Sequence, residues 1–402
     1  MRLQRLWLTD FRNYESAELE PSPGLTAVVG ANGQGKSNLL EAVAWLATLS
    51  SFRGAPDEAL VRVGAAEAVV RAEVVGDGPS RQVVGDGPSR QVNGDGGASV
   101  HAVGDGAAGR LVLLEALIRA SGRDQVLVNR QKLRRARDLL GSVRVTVFSP
   151  DDLTLVKGGP GERRRMLDDA LVALAIKHDA LQGDLDRVLR QRATLLRQAG
   201  GRATPEVAAT LDVWDAKLAD LGEATGRARV ALVERLQPAA ATAYDQVAVA
   251  SARVTLTYDP PRCRLEGGLA AALDAARGED LRRGVSTVGP HRDELELAVN
   301  GLPARTHASQ GEQRSLALAL RLASHAVVTE VTGSSPILLL DDVFSELDPE
   351  RSQALLAHLP PGQALLTTAG PLPEGAEPGL VVGVVGGRLV EGGVGRAGAG
   401  AA

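Results

Sequence analysis

Polar and apolar positions alternate from the first residues. Leu3, Arg5, Trp7 and Thr9 interleave with Gln4, Leu6 and Leu8, and this period of two predicts a strand. LTAVVG (25–30) is a short apolar run closing on glycine, and KSNLLEAVAWLATL (36–49) has helical spacing. Strand, glycine loop and helix open an α/β unit. AVVRAEVV (68–75) and GRLVLLEALIRA (109–120) read as strands, and QVLVNRQKLRR (125–135) reads as a hairpin turning at Asn129-Arg130. Past residue 162 the period changes. Leu167, Leu171, Leu174, His178, Leu181, Leu185, Val188, Arg192 and Leu195 recur at steps of four and three. AGGRATP (199–205) interrupts, and Pro205 suits the first turn of a new helix. Leu211, Trp214, Leu218, Leu221, Thr225, Ala228 and Leu232 then repeat the spacing. Two such helices joined by a short glycine-rich loop predict an antiparallel hairpin, its first helix ~38 residues and ~57 Å long. VTLTYDP (254–260) and ELELAVNGLPART (294–306) return to strands, with Asn300-Gly301 as a tight turn.

The expected architecture is an α/β head built from both chain ends, with a helical arm inserted between them. Residues 1–150 and 285–385 form the head, 151–284 the arm, and the Gly- and Ala-rich residues 386–402 a flexible tail. At 402 residues the chain is long for a single core. Aromatics are 2%, so the cores must be Leu, Val and Ala. A single cysteine, Cys263, excludes an internal disulfide and suits a reducing, cytoplasmic setting. No apolar run reaches the ~20 residues of a membrane span, and the charged N-terminus does not read as a signal peptide. Net charge is −4, which leaves room for a local basic patch but not for a uniformly basic surface. VGDGPSRQV occurs twice in tandem at 75–92 and Gly-Asp-Gly recurs after it; a lengthened surface loop fits this better than a calcium-binding roll.

GANGQGKS (30–37) fits G-x-x-x-x-G-K-[ST] in full, between a predicted strand and helix. Gly30, Ala31, Asn32, Gly33, Gln34 and Gly35 would wrap phosphate with backbone N–H groups. Lys36 would reach the β- and γ-phosphates of ATP, and Ser37 would ligate Mg²⁺. PILLLDDVFSELD (336–348) supplies the matching piece. Its unbroken apolar run suits a strand buried on both faces. Asp341 falls where a carboxylate holds magnesium, and Asp342 where it orients or deprotonates the attacking water. ASQGEQR (308–314) opens a helix with Ser309 and, three residues on, Glu312, a capping box whose spare donors also suit an anion. Between Arg123 and Arg137 six basic residues face one acid, either a solvated strand edge or a phosphate-backbone contact.

LTDFRNY (8–14), GANGQGKSNLLEA, SPDDLTLVKGGPGERRRMLD (149–168), VGPHRDELEL (288–297), SQGEQR and LLLDDVFSELD stand in this order along nearly the whole chain. The layout resembles ABC-type ATPases, and the motifs together resemble the RecF family of bacterial recombination-repair ATPases, related to SMC chromosome proteins. The resemblance implies a P-loop ABC/SMC-type head with an inserted antiparallel helical arm. It implies that Ser309, Gln310, Gly311, Glu312 and Gln313 meet the γ-phosphate of ATP held by a second copy, with Asp348 at the same seam. It implies an ATP-dependent homodimer, slow hydrolysis, and DNA binding on duplex, gapped and single-stranded substrates. Replication, gap repair and the SOS response follow, as do the partners RecO, RecR and RecA. Arg12 and Asn13 would approach the nucleotide. Candidates for the DNA contacts are Arg130, Lys132, Arg134, Arg135 and Arg137, and Arg163, Arg164 and Arg165 at the base of the arm, a triplet that also reads as a solvated helix start. The chain departs from the wider class in three places: Asp342 where many members carry Glu, no glutamine in VTVFSPDD, and Thr367 or Thr368 where a switch histidine is common. A transporter's nucleotide-binding subunit and an ATP-gated scaffold without hydrolysis are the competing readings; the arm and the GPHRD block oppose the first, intact Lys36, Asp341 and Asp342 the second.

Overall fold

The computed structural model describes residues 1–76, 109–260 and 265–391, so most of the tandem repeat, Cys263 and the last eleven residues lie outside the described residues. The chain opens with β1 (Arg2–Phe11), β2 (Tyr14–Leu19), β3 (Leu25–Val29), α1 (Lys36–Thr48), β4 (Glu67–Val75) and β5 (Leu111–Arg119). It continues through β6 (Gln125–Val128), β7 (Gln131–Lys132), β8 (Val145–Phe148), α2 (Thr154–Lys157), α3 (Pro160–Leu174), α4 (Lys177–Ala199) and α5 (Pro205–Val247). Next come β9 (Val254–Thr257), α6 (Gly268–Arg283), β10 (Glu296–Val299), β11 (Leu302–Pro303), α7 (Ala304–His307) and α8 (Gln310–Thr332). The described part closes with β12 (Ile337–Asp341), α9 (Pro349–Ala357), β13 (Ala364–Thr368), β14 (Leu380–Val385) and β15 (Arg388–Glu391).

Two six-stranded sheets sandwich α1. One, ordered β15-β14-β3-β13-β12-β8, is parallel except at its β15 edge. The other, β2-β1-β4-β5-β6-β7, is antiparallel. Leu39, Leu40, Val43, Trp45 and Leu46 of α1 share one core with Leu3, Leu6 and Leu8 from one sheet and Val28, Leu339 and Leu365 from the other. The opposite face of the parallel sheet packs Leu338, Leu340 and Leu366 against α3, α5 and α8. Alternate residues of β12 thus enter different cores, which is why its apolar run is unbroken.

The alternation in β1 does not keep to one face. A bulge between Leu3 and Arg5 shifts the register with β4, so Leu3, Leu6 and Leu8 are the buried positions. At that irregularity the Gln363 amide bridges the sheets, accepting from Leu3 N at 2.7 Å and donating to Leu3 O at 2.9 Å and Ser22 O at 2.8 Å.

The first arm helix is broken. Ala175 is extended, and the Ala173 carbonyl accepts from Arg144 Nε at 2.9 Å, so α3 and α4 are separate. The second runs longer than its heptads: α5 has 43 residues, about 64 Å, and its far end packs on α8. The hairpin is also not alone, because α6 lies against both α4 and α5. Two apolar clusters hold these three helices, one around Leu185, Leu218 and Leu273 and one around Leu196, Leu211 and Leu281. Arg192 is fully buried in the same bundle. Its Nε donates to Asp215 at 2.6 Å, and its Nη1 to Asp280 at 2.7 Å and Ser286 at 2.8 Å. The expected tail begins differently too: Gly386 and Gly387 form a left-handed turn that returns β15 antiparallel to β14.

His325 on α8 is buried between the hydroxyls of Thr146 and Ser335, each 3.0 Å from a ring nitrogen. Burial pushes it down to about 4 from 6.5. The unfolded chain therefore takes up this proton first. The contribution is complete above about pH 6.5 and is lost as pH falls towards 4, up to about 3 kcal/mol. Urea titrations at pH 7.5 and 4.5 should show this loss, and His325→Gln should remove that share of it.

Candidate functional site

The site forms where β3, β12 and β13 end side by side. Gly30 leaves β3 at φ 155° with its α-carbon against Val384, where a Cβ would stand 2.5 Å from the Val384 carbonyl oxygen. Gly35 caps α1 at φ 116°, and a Cβ there would meet the Asn13 amide at 2.6 Å. Only glycine fits either place. The loop is gripped from outside. Asn13 Nδ2 donates to Gln34 O at 2.7 Å and Tyr14 OH to Gly35 O at 3.0 Å. Gly387 N donates to Gln34 O at 3.1 Å, and Gly386 N to the Gln34 side chain at 2.6 Å. Ala31, Asn32 and Gly33 are the exposed apex. Lys36 is buried beneath it, donating to Ala31 O at 2.9 Å. Burial holds its ammonium below the usual range, against the pull of Asp342 and Asp341.

Across the sheet, Asp341 Oδ1 accepts from Ser37 Oγ at 2.7 Å and from Thr367 Oγ1 at 2.8 Å. Burial raises its carboxyl, and the Ser37 and Thr367 donors oppose that. Thr367 Oγ1 in turn accepts from Asp342 N at 2.9 Å. Thr368 instead turns to Gly370, so of the two threonines only Thr367 joins the site. Asp342 sits at φ 48°, a left-handed conformation Asp tolerates, and its Oδ1 is buried without a hydrogen-bond partner. An orphaned carboxylate oxygen beside a Ser hydroxyl and a second carboxylate is a set of hard oxygen donors that fits magnesium and water. Among the described residues no cluster of three acidic, His or Cys side chains forms a complete metal cage.

Arg12, expected to approach the nucleotide, is anchored beside the loop. Its Nε and Nη2 form a fork on the buried Glu41 at 2.8 and 2.7 Å, and Nη1 donates to Ala59 O. These bonds take Nε, one Nη1–H and one Nη2–H and leave the guanidinium two further donors, while Asn13 shapes the loop itself.

Ser309 caps α8 through a complete capping box: Glu312 N donates to Ser309 Oγ at 3.3 Å, and Ser309 N to Glu312 Oε2 at 2.7 Å. Ser309 and Gln310 are exposed, Gly311 and Glu312 half-buried. Gln313 is turned inward, donating to Ala304 O and Arg305 O, so its side chain is withdrawn from the exposed turn. Asp348 caps α9 and pairs with Arg351. The segment without the expected glutamine is tied to α8 by Asp152, which accepts from Arg321 at 2.7 Å.

The basic residues divide into two groups. Arg130 and Lys132 sit on the β6–β7 hairpin, where Asn129 and Arg130 take left-handed φ values of 50° and 65°, and Arg134 and Arg135 follow it. All four are exposed. Beyond them a cleft of about 600 Å³ is lined by Arg135, Arg137 and, from α4, Asp179 and Arg187. Arg163 does not belong with them. It is 5% exposed, forks onto Glu294 and donates to Leu155 O and Gly158 O. Arg164 donates to Asp293 O at 2.7 Å. Both brace α3 against the GPHRD segment, and of the triplet only Arg165 is exposed.

The sequence model of the RecF/RecN/SMC N-terminal domain matches residues 2–363. The DNA replication and repair protein RecF of Frankia alni is 43% identical over 387 residues, covering 92% of this chain and 93% of its own length. That of Streptomyces avermitilis is 41% identical over 382 residues, with the same coverage. The solved structure of the recombination mediator protein RecF with ATP in the RecFOR pathway superposes with a TM-score of 0.82, at 26% identity over 97% of each chain. An Smc head bound to the C-winged helix domain of ScpA matches at TM-score 0.56 and 17% identity over 98% of each chain, a likeness of fold.

Proposed function

The chain belongs to the RecF family of DNA replication and repair proteins, within the RecF/RecN/SMC group of ATP-binding heads, and from that premise we propose that it is an ATP-operated clamp on DNA. The observation that carries this reading is the convergence of Ser37, Asp341, Thr367 and the partnerless Asp342 beside the Lys36 loop. Backbone N–H groups of residues 30–37 wrap the β-phosphate of ATP, and Lys36 leaves Ala31 O to meet the β- and γ-phosphates. Ser37 and Asp341 would hold Mg²⁺, which when bound would offset charge on the phosphate oxygens. Asp342 orients the attacking water and accepts its proton, while Thr367 keeps both aspartates in place.

The Ser309–Gln310–Gly311 turn offers the N-terminus of α8 to the γ-phosphate of ATP on a second copy, with Asp348 at the same seam. The capping box and the trans contact are compatible, since the box uses the Ser309 and Glu312 N–H groups and leaves those of Gln310 and Gly311 to a phosphate. Mass measured by light scattering without nucleotide, with ADP, with ATP and with a non-hydrolysable analogue tests this. The wild type should double in mass only with the triphosphates; Lys36→Ala and Ser309→Arg should stay single. A Ser309→Arg protein that still pairs on ATP would remove the trans contact from the reading.

Pairing brings two copies of the Arg130–Lys132–Arg134–Arg135 hairpin edge onto one assembly, a basic surface for phosphate backbone. Such contacts give affinity without sequence preference. Exchanging all four for Ser should lower the slope of log affinity against log salt by about one for each phosphate left without its cation. An unchanged slope would take these residues out of the interface. The family's repair role, with this surface, supports action at single-strand/duplex gaps in the cytoplasm, slow DNA-stimulated hydrolysis, and work with RecO and RecR in loading RecA during gap repair and SOS induction.

A further inference from the structure

The Asp348 turn and the Ser309 turn are far apart in sequence, yet one side chain touches both. Arg351, in the first turn of α9, pairs its guanidinium with the Asp348 carboxylate, which also accepts the Arg351 backbone N–H at 2.9 Å. The same guanidinium lies across the start of α8. Its Nε donates to the fully buried Ser315 Oγ at 3.1 Å. Its Nη2 fills the place a side chain at residue 311 would take, 2.7 Å from where a Cβ would be. Gly311 has no positive-φ conformation to explain its lack of a side chain. The guanidinium takes that space, so a side chain at 311 would have to move it.

A cation beside a helix N-terminus opposes the helix dipole. The placement is held nonetheless by Asp348 on one side and Ser315 on the other. The guanidinium thus bridges two turns that each have a separate backbone path, α8 for one and the β12–α9 connection for the other.

We propose that Arg351 is a positioning residue that locks the Asp348 turn to the Ser309–Gln310–Gly311 turn, so that both meet the nucleotide of a second copy as one surface. This rests on the reading that these turns face a partner's ATP. Without the brace each turn would have to be ordered as the pocket closes, and the cost of that ordering appears in pairing. Binding of ATP to the chain's own loop is untouched, since Arg351 lies outside it.

The experiment compares the wild type with Arg351→Ala, Arg351→Lys, Gly311→Ala and the Gly311→Ala/Arg351→Ala double variant. Two quantities are measured: ATP affinity of the single copy, and the dissociation constant of the pair under a non-hydrolysable analogue. Arg351→Ala should keep ATP affinity and weaken pairing about ten-fold or more. Arg351→Lys keeps the ion pair but cannot fork to Ser315, and should fall between. Gly311→Ala displaces the guanidinium with Arg351 intact and should match Arg351→Ala, and the double variant should be no worse than either single. That non-additivity is what a merely structural role would not produce. Unchanged pairing in Arg351→Ala, or additive losses in the double variant, overturns the proposal; if Arg351→Ala does not fold, Arg351→Lys and Gly311→Ala decide it on the same criteria. A wild type that fails to pair on ATP would instead overturn the underlying trans reading, and is seen separately.

Discussion

Asp342→Asn is expected to lower ATP turnover by about 10²–10⁴-fold, the usual contribution of a positioned acid–base group, while ATP-driven pairing persists. Asn keeps the size of the side chain and, like Asp, tolerates the left-handed backbone found at φ 48°, so the local fold should survive. What it loses is a carboxylate able to take a proton at the partnerless buried Oδ1. Single-turnover hydrolysis alongside mass measurement separates the two effects. Turnover at the wild-type rate would mean that the water is activated elsewhere, and that Asp342 serves only to shape the end of β12.

Arg192→Ala is expected to destabilise the arm by about 3–5 kcal/mol, because it leaves Asp280 buried without its cation and takes one of two from Asp215. The guanidinium is fully buried among α4, α5 and α6, and Asp280 also accepts from Thr287 N at 2.8 Å, which fastens the strap leading to the GPHRD segment. Arg277 still pairs with Asp215, so that carboxylate is partly compensated and the lower end of the range applies if Arg277 shifts inward. Urea unfolding followed by circular dichroism should show an early helical transition. A loss under about 1 kcal/mol would show that the two apolar clusters suffice without the ions.

Features carried by neighbouring residues were legible in the sequence. The phosphate loop, the acidic strand end, the capping box at Ser309 and the tight turns at Asn129-Arg130 and Asn300-Gly301 each rest on a few consecutive side chains. Features set by distant partners were not. Arg163 belongs to a basic triplet, yet Glu294, 131 residues on, buries it. Nothing near Ala175 marks the end of a helix, since its terminal carbonyl is taken by Arg144. The Arg12–Glu41 fork and the choice of Thr367 over Thr368 likewise depend on which face of a strand or helix meets which neighbour. Helix α6 is hidden in the sequence because its residues show no clean apolar stripe, and it becomes a helix of the arm by covering a seam that two helices leave open.

The order of strands in the parallel sheet bears on how the protein is made. The strand that launches the phosphate loop, β3, has β13 and β14 as its two neighbours, and the Gln363 amide that steadies β1 is separated from Leu3 by 360 residues. At a synthesis rate of ~5–20 residues per second, the N-terminal segment waits roughly 20–70 s for these partners to leave the ribosome. The arm, formed from contiguous residues, has all its pieces earlier. The nucleotide-binding half is therefore the last to consolidate on the nascent chain, and a chain stopped before residue 364 would carry every residue of the phosphate loop with neither strand that flanks it.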